Sequence, residues 1–295
     1  GAAALARAMG VSAMLVGVTV VAFGTSAPEF VVCVTAAWRE KTDIVAGNVV
    51  GSNILNVLLV LGATAVVYPL KAQAAFVRRE IPVMVASALL LWLLARDGKV
   101  DRLDGALLLC MLAGYLAFTV WLARRESRIV AEQYEDVPQI RRRPLWLDFV
   151  LIVVGLIFLS LGSGVFLDGA VCIARRFEVP EDIIGLTLVA GGTSFPELAA
   201  CLVAAWRKHP DICLGNIIGS SIYNILGIAG AAAAVAPLTF GHGLLTEHLP
   251  VMVGSSVLLW IMVKTGLRVS RREGVALLTA YAVYFFWTAR GLFAG

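Results

Sequence analysis

The chain has 295 residues, of which 60% are hydrophobic and only 15% charged, whereas roughly a quarter of the residues in an ordinary soluble domain are charged. A mean hydropathy of +0.88 and a net charge of +4 exclude a disordered chain and a nucleic-acid-binding protein, both of which need abundant charge. The apolar residues gather in blocks of about 17–25, the length a helix needs to cross roughly 30 Å of hydrocarbon, so the composition predicts an all-α integral membrane protein.

Taken in chain order, the blocks fall at 11–37, 45–69, 81–95, 103–123, 145–167, 182–206, 213–236, 248–264 and 274–290, with short charged punctuation between them. The opening GAAALARAMG has no initiator Met and lacks the basic, apolar and small-residue parts of a signal peptide. The polar stretch RRESRIVAEQYEDVPQIRRRP at 124–144 divides the chain into 1–123 and 145–295.

These halves repeat. Residues 11–70 align without a gap to 179–238 at an offset of 168, with 30 of the 60 pairs identical. GTSAPE (24–29) meets GTSFPE (192–197), GNVVGSNILN (47–56) meets GNIIGSSIYN (215–224), and Trp38, Asp43 and Pro69 meet Trp206, Asp211 and Pro237. Shared hydrophobicity would match Leu and Val, not Thr, Glu, Asn, Trp and Pro. Five steps, each one crossing, lead from the first Glu-bearing block to the second, and an odd number of crossings turns the copies opposite ways up, as in the inverted-topology repeats of many secondary transporters. The block at 145–167 has no counterpart within the first half, because Gly1 already pairs with Gly169. The expectation is therefore five plus five transmembrane helices, with the first helix missing from this chain.

Charge placement orients the chain. With the 124–144 loop in the cytoplasm, 16 Lys and Arg fall inside and 8 outside, as the positive-inside rule requires. The C-terminus is then external.

Two acids lie well inside apolar blocks, Glu29 and Glu197, each directly after a proline. A carboxylate there costs several kcal/mol and marks an ion or substrate pathway. Thr19, Ala22, Thr25, Ser26 and Glu29 stand on one helical face, as do Thr187, Ala190, Thr193, Ser194 and Glu197. Pro28 and Pro196 have no N–H and clash with the carbonyl four residues back, which frees backbone oxygens near Ala22–Thr25 and Ala190–Thr193 for another partner. Asn48, Ser52 and Asn56 share a second face, matched by Asn216, Ser220 and Asn224, and Gly47/Gly51 and Gly215/Gly219 provide for close helix approach. Carboxylate, amide, hydroxyl and carbonyl oxygens together suit Ca²⁺ or Na⁺ and suit Zn²⁺ or Cu⁺ poorly.

The remaining reactive residues point elsewhere. The five Cys (33, 110, 172, 201, 213) contain no C-x-x-C and read as small buried hydrophobes. His209, His242 and His248 read as interfacial, and Asp43 and Asp211 as helix N-caps. The sequence has no H-E-x-x-H, paired catalytic Asp or Ser/His arrangement within the apolar blocks, which argues against an intramembrane enzyme. A cation channel is a further alternative, disfavoured by the inverted, interrupted Glu helices.

G-T-S-x-P-E followed by G-N-x-x-G-S-x-x-x-N, present twice, resembles the alpha repeats of the cation/Ca²⁺ antiporter superfamily and its prokaryotic sodium/calcium exchanger branch. The resemblance spans essentially the whole chain. It implies Ca²⁺/Na⁺ exchange by alternating access, with Glu29 and Glu197 as Ca²⁺ ligands and the carbonyls of Thr25 and Thr193 completing that site. It further implies Na⁺ held by the carbonyls of Ala22 and Ala190 with the hydroxyls of Ser26, Ser194, Ser52 and Ser220, and Asn56 and Asn224 lining the middle. Ca²⁺ and Na⁺ are then substrates, and no cofactor is implied. Some members carry Asp where this chain has Asn224; two carboxylates can neutralise one Ca²⁺ or two Na⁺, which leaves stoichiometry and the coupling ion, Na⁺ or H⁺, open.

Overall fold

A computed structural model describes residues 13–133, 145–176 and 190–293. Each of the nine apolar blocks is mainly helical in its described part. In chain order the elements are α1 (Gly17–Thr25), α2 (Ala27–Trp38) and α3 (Thr42–Val67), β1 (Leu70–Lys71), α4 (Ala74–Leu94), β2 (Lys99–Val100), α5 (Arg102–Gln133), α6 (Leu145–Arg176), α7 (Ala190–Thr193) and α8 (Phe195–Trp206). They continue with α9 (Pro210–Val235), β3 (Leu238–Thr239), α10 (Leu244–Gly266), β4 (Arg268–Val269) and α11 (Arg271–Phe293). Among the described helices α3, α9, α10 and the Arg102–Leu122 part of α5 are long and apolar enough to cross a membrane, and the bent pair α1–α2 makes a fifth.

The Asn-bearing helices lie at the centre. The apolar windows of α3 and α9 are 78% and 94% buried, against 17% for α5 and 39% for α10. Backbones touch where glycine allows it. A Cβ on Gly219 of α9 would sit 2.4 Å from the carbonyl oxygen of Val18, and one on Gly17 of α1 would sit 2.6 Å from that of Ile212, so only hydrogen at both positions permits this crossing. The expected role of Gly219 is met, whereas Gly47 faces open space. Two further crossings were not anticipated: Gly274 of α11 against the carbonyl of Gly62 in α3, and Gly105 of α5 against that of Gly230 in α9.

Local sequence explains the helix ends. α3 and α9 stop where Tyr68 and Ala236 turn extended, both with φ −144°, because Pro69 and Pro237 disfavour helix in the residue before them. The extended backbone then pairs as two short antiparallel ribbons, Leu70 opposite Val269 and Val100 opposite Leu238, an addition to the all-helical expectation. At the ends of α2 and α8, Glu40 and Lys208 adopt left-handed φ values of 59° and 60°. Lys41 N–H reaches Ala36 O at 2.9 Å and His209 N–H reaches Ala204 O at 2.8 Å, the paired bonds of a Schellman ending.

Three expectations change. Asp43 and Asp211 are not N-caps: Lys41 and His209 occupy those positions without a side-chain bond, and each Asp lies inside the first turn, where a negative charge still suits the helix dipole. α4 begins at Ala74 and runs through Pro82, which draws Glu80 into the buried set, where it accepts a hydrogen bond from the Tyr115 hydroxyl. The acids away from solvent are thus not confined to Glu29 and Glu197. Finally, His248 is bonded rather than merely interfacial, its Nδ1 lying 2.8 Å from the Tyr284 hydroxyl.

Candidate cation site

The two Glu motifs fold alike. α1 and α2 meet at a bend of 51° at Ser26, whose φ of −85° and ψ of 5° are repeated at Ser194 between α7 and α8. Pro28 and Pro196 sit in the first turn of α2 and α8, where the missing N–H costs nothing to those helices. The break ends one helix and starts another within a buried segment, so Glu29 and Glu197 fall in the first turn of a new helix, close to N–H groups that favour negative charge.

The Asn motifs contribute from α3 and α9. A π-helical turn begins at Asn56 and runs to Val60, and another, Tyr223–Ala229, contains Asn224. Such turns leave backbone groups out of the ordinary ladder and recur at functional positions.

Thr25, Ser26, Glu29, Ser52, Asn56, Thr193, Ser194, Glu197, Ser220 and Asn224 are all buried, as is Ala22. Ala190 forms the first residue of α7. Bonds between the halves link several of them. Ser26 Oγ donates to Glu197 Oε1 at 2.8 Å, Thr25 Oγ1 to Asn216 Oδ1 at 3.1 Å, and Asn48 Nδ2 to Thr193 Oγ1 at 3.3 Å. Ser220 Oγ adds a long contact of 3.5 Å to the same oxygen of Glu197.

Among the buried residues of the four motifs a defined set of polar atoms is left without a partner: both oxygens of Glu29, Oε2 of Glu197, the whole amides of Asn56 and Asn224, and the hydroxyls of Ser52 and Ser194. Buried polar groups are nearly always bonded, and each one left over costs about 1–3 kcal/mol, more if charged. The set includes both carboxylates, and a cation seated among such atoms would satisfy them together. Among the described residues no three His, Cys, Asp or Glu side chains gather as a metal site, so any ion here relies on neutral oxygens around two acids. Ser221 Oγ is also unpartnered; its counterpart in the first half is Asn53, which bonds to its own helix, and no repeat signal singled it out.

Not every expected ligand is equally free. Ala22 O accepts the Ser26 N–H at 3.0 Å and lies 3.3 Å from Thr25 Oγ1. A hydroxyl has one proton, and the shorter Thr25 bond to Asn216 takes it, so one lone pair of Ala22 O remains open. Thr19 bonds to Leu15 O of its own helix and does not join the cluster; Thr187 lies outside the described residues. Asn48 and Asn216, which share a face with the other amides in sequence, spend their amides on protein partners. Cys33 and Cys201 are buried, as expected of small hydrophobes, but also bonded: Cys33 Sγ donates to Asn48 Oδ1 at 3.3 Å and Asn216 Nδ2 donates to Cys201 Sγ at 3.5 Å. The signal that could have found them is their recurrence at the 168-residue offset, four residues beyond each Glu.

A family model for sodium/calcium exchanger proteins matches residues 1–121 and 147–290. A putative antiporter, CaxA of Alkalimonas amylolytica, is 38% identical over 293 residues, covering 96% of this chain and 90% of its own. The sodium/calcium exchanger MaX1 of Methanosarcina acetivorans is 30% identical, with 96% of this chain and 91% of its own covered. The solved structure of the sodium-calcium exchanger NCX_Mj soaked with Na⁺ and Sr²⁺ superposes with a TM-score of 0.81 at 30% identity, covering 96% of this chain and 89% of that one. Motif, buried oxygen cluster, fold and relatives agree: the chain is a multi-pass membrane protein and belongs to the sodium/calcium exchanger family.

Proposed function

We propose that the protein is a secondary active antiporter that exchanges Ca²⁺ for Na⁺ by alternating access at the buried oxygen cluster. The observation that carries this reading is the set of unpartnered atoms on Glu29, Glu197, Asn56, Asn224, Ser52 and Ser194. A Ca²⁺ between Glu29 and Glu197, supplemented by the carbonyls of Thr25 and Thr193, would be neutralised by two negative charges. Two Na⁺ would be neutralised equally well, held by the carbonyls of Ala22 and Ala190 with Ser26, Ser52, Ser194 and Ser220. Either load removes the cost of moving a charged, empty site across the low-dielectric barrier, and that difference in free energy between loaded and empty states supplies coupling.

The arrangement of the chain follows the same reading: an inverted pair of repeats, 1–123 and 145–295, with the 124–144 loop cytoplasmic and the C-terminus external in a cell or inner membrane. The matched ribbons, the twin breaks at Ser26 and Ser194, and the twin Schellman endings support an internal repeat, since each recurs near the same offset.

The test is ⁴⁵Ca²⁺ uptake into proteoliposomes under an imposed Na⁺ gradient, compared with an imposed pH gradient. Uptake should follow the Na⁺ gradient. Uptake that responds only to the pH gradient would overturn Na⁺ coupling and assign the protein to proton-coupled exchange.

A further inference from the structure

Threonine inside a helix ordinarily donates its hydroxyl to the backbone one turn earlier, as Thr19 and Thr64 do here. Thr25 does otherwise: its shorter bond leaves the helix and ends on Asn216 in the opposite half. Thr193, its counterpart, is held by Asn48 of the first half. These two threonines immediately precede the breaks at Ser26 and Ser194. Each therefore carries a bond from the opposite half right beside the break.

A threonine hydroxyl pairs with either the oxygen or the NH₂ end of an asparagine amide, so a second contact on the amide's other end is what fixes which end it presents and stops the side chain swinging away. The thiols do this. Cys33 donates to Asn48 Oδ1, which leaves the Nδ2 end to face Thr193. Cys201 is the acceptor of Asn216 Nδ2, which leaves Oδ1 to receive Thr25. The difference follows from where each thiol proton goes, since Cys201 Sγ is directed at the Cys213 carbonyl at 3.7 Å. Asn48 and Asn216 thus differ from Asn56 and Asn224, which have no protein partner at all. Cys33 and Cys201 also follow Glu29 and Glu197 by one helical turn, and Glu29 has both oxygens buried without a partner.

We propose that Cys33 and Cys201 are positioning residues of the cation site: each thiol orients an asparagine amide, Asn48 or Asn216, that clamps the threonine of the opposite half beside the helix break. This rests on the reading that the carbonyls of Thr25 and Thr193 ligate Ca²⁺. Loss of either thiol removes the amide's second anchor, lets the asparagine side chain swing away from the threonine, and weakens Ca²⁺ binding without removing a ligand.

The test is equilibrium ⁴⁵Ca²⁺ binding to the full chain in detergent, with Na⁺-driven uptake of the wild type measured in parallel. Cys33→Ala and Cys201→Ala should raise the Ca²⁺ dissociation constant about threefold to tenfold, the range of one lost buried hydrogen bond. Cys33→Ser keeps a donor and should stay within about twofold of wild type. Thr193→Val keeps shape and carbonyl while losing the hydroxyl, so it tests the clamp even where a cysteine variant fails to fold; combined with Asn48→Ala it should be no worse than the poorer single variant. Equal loss for the Ala and Ser variants, or multiplied effects in the Asn48/Thr193 pair, would overturn the proposal. Ca²⁺ binding without Na⁺-driven uptake would overturn the exchange reading alone, leaving the clamp to be judged by the binding ratios. No Ca²⁺ binding by the wild type would overturn both.

Discussion

Replacing Glu29 by Gln changes one charge at nearly constant volume, in a place where that charge has nothing else to do. Both carboxylate oxygens are fully buried and neither has a hydrogen-bond partner. In the empty protein the substitution therefore breaks no bond, and it removes a group whose burial as an anion is costly. With Ca²⁺ bound it takes away half of the neutralising charge and turns two amide protons toward the cation. Truncating one partner of a desolvated, hydrogen-bonded charge pair costs about 2–5 kcal/mol, which corresponds to an affinity loss of roughly 30-fold to several thousand-fold.

The same numbers predict thermal behaviour. At a Ca²⁺ concentration 100 times its dissociation constant the wild type gains about 2.7 kcal/mol from the ion, whereas a variant binding about 100-fold more weakly gains only about 0.4 kcal/mol. Thermal unfolding in detergent, with chelator and with Ca²⁺, reads both effects. Glu29→Gln should unfold at the wild-type temperature or above it in chelator, and should lose most of the Ca²⁺-induced rise. A large drop in chelator would make Glu29 a structural residue, and an undiminished Ca²⁺ response would remove it from the site.

Two other substitutions separate site from scaffold. Asn224→Asp converts an unpartnered amide into a third carboxylate and should tighten Ca²⁺ binding by about tenfold or more, about 1.4 kcal/mol; unchanged affinity in equilibrium binding would place Asn224 away from the ion. Gly274→Val pushes a Cβ to 2.8 Å from the Gly62 carbonyl and 3.0 Å from Ala65 Cβ, so α3 and α11 must part at a cost of about 1–3 kcal/mol. It should lower the unfolding temperature and leave the Ca²⁺ dissociation constant within twofold, whereas a shifted affinity at wild-type stability would contradict its assignment to packing alone.

Much of the candidate site is legible in the sequence because the signal lies in residue types at fixed spacings. Proline before Glu announces a helix restart, and the structure places the break two residues earlier, at Ser26 and Ser194. Glu, Asn and Ser inside apolar blocks are expensive enough in a membrane that their double occurrence pointed to a common purpose. The misreadings have a shared cause as well. Gly47 and Gly219 look alike in their motifs, yet only Gly219 meets another backbone. Asn48 and Asn56 stand on one face of α3, yet the Asn48 amide is bonded to Cys33 and Thr193 while the Asn56 amide has no partner. Glu80 falls just before the apolar block at 81–95, while in the fold α4 begins at Ala74 and carries it into the buried set.

The amino-acid sequence by itself determined the helical membrane class, the two related halves and the list of oxygen-bearing side chains, because these depend on hydrophobicity, period and identity, all local to the chain. Only the tertiary structure decided which of those oxygens are already spent. Ser26 and Glu197 are 171 residues apart and meet at 2.8 Å, and whether a hydroxyl satisfies a carboxylate or leaves it for an ion turns on differences of a few tenths of an ångström. That distance is set by glycine-permitted backbone contact between α1 and α9, and by the bends at Ser26 and Ser194, not by any property of the residues taken singly.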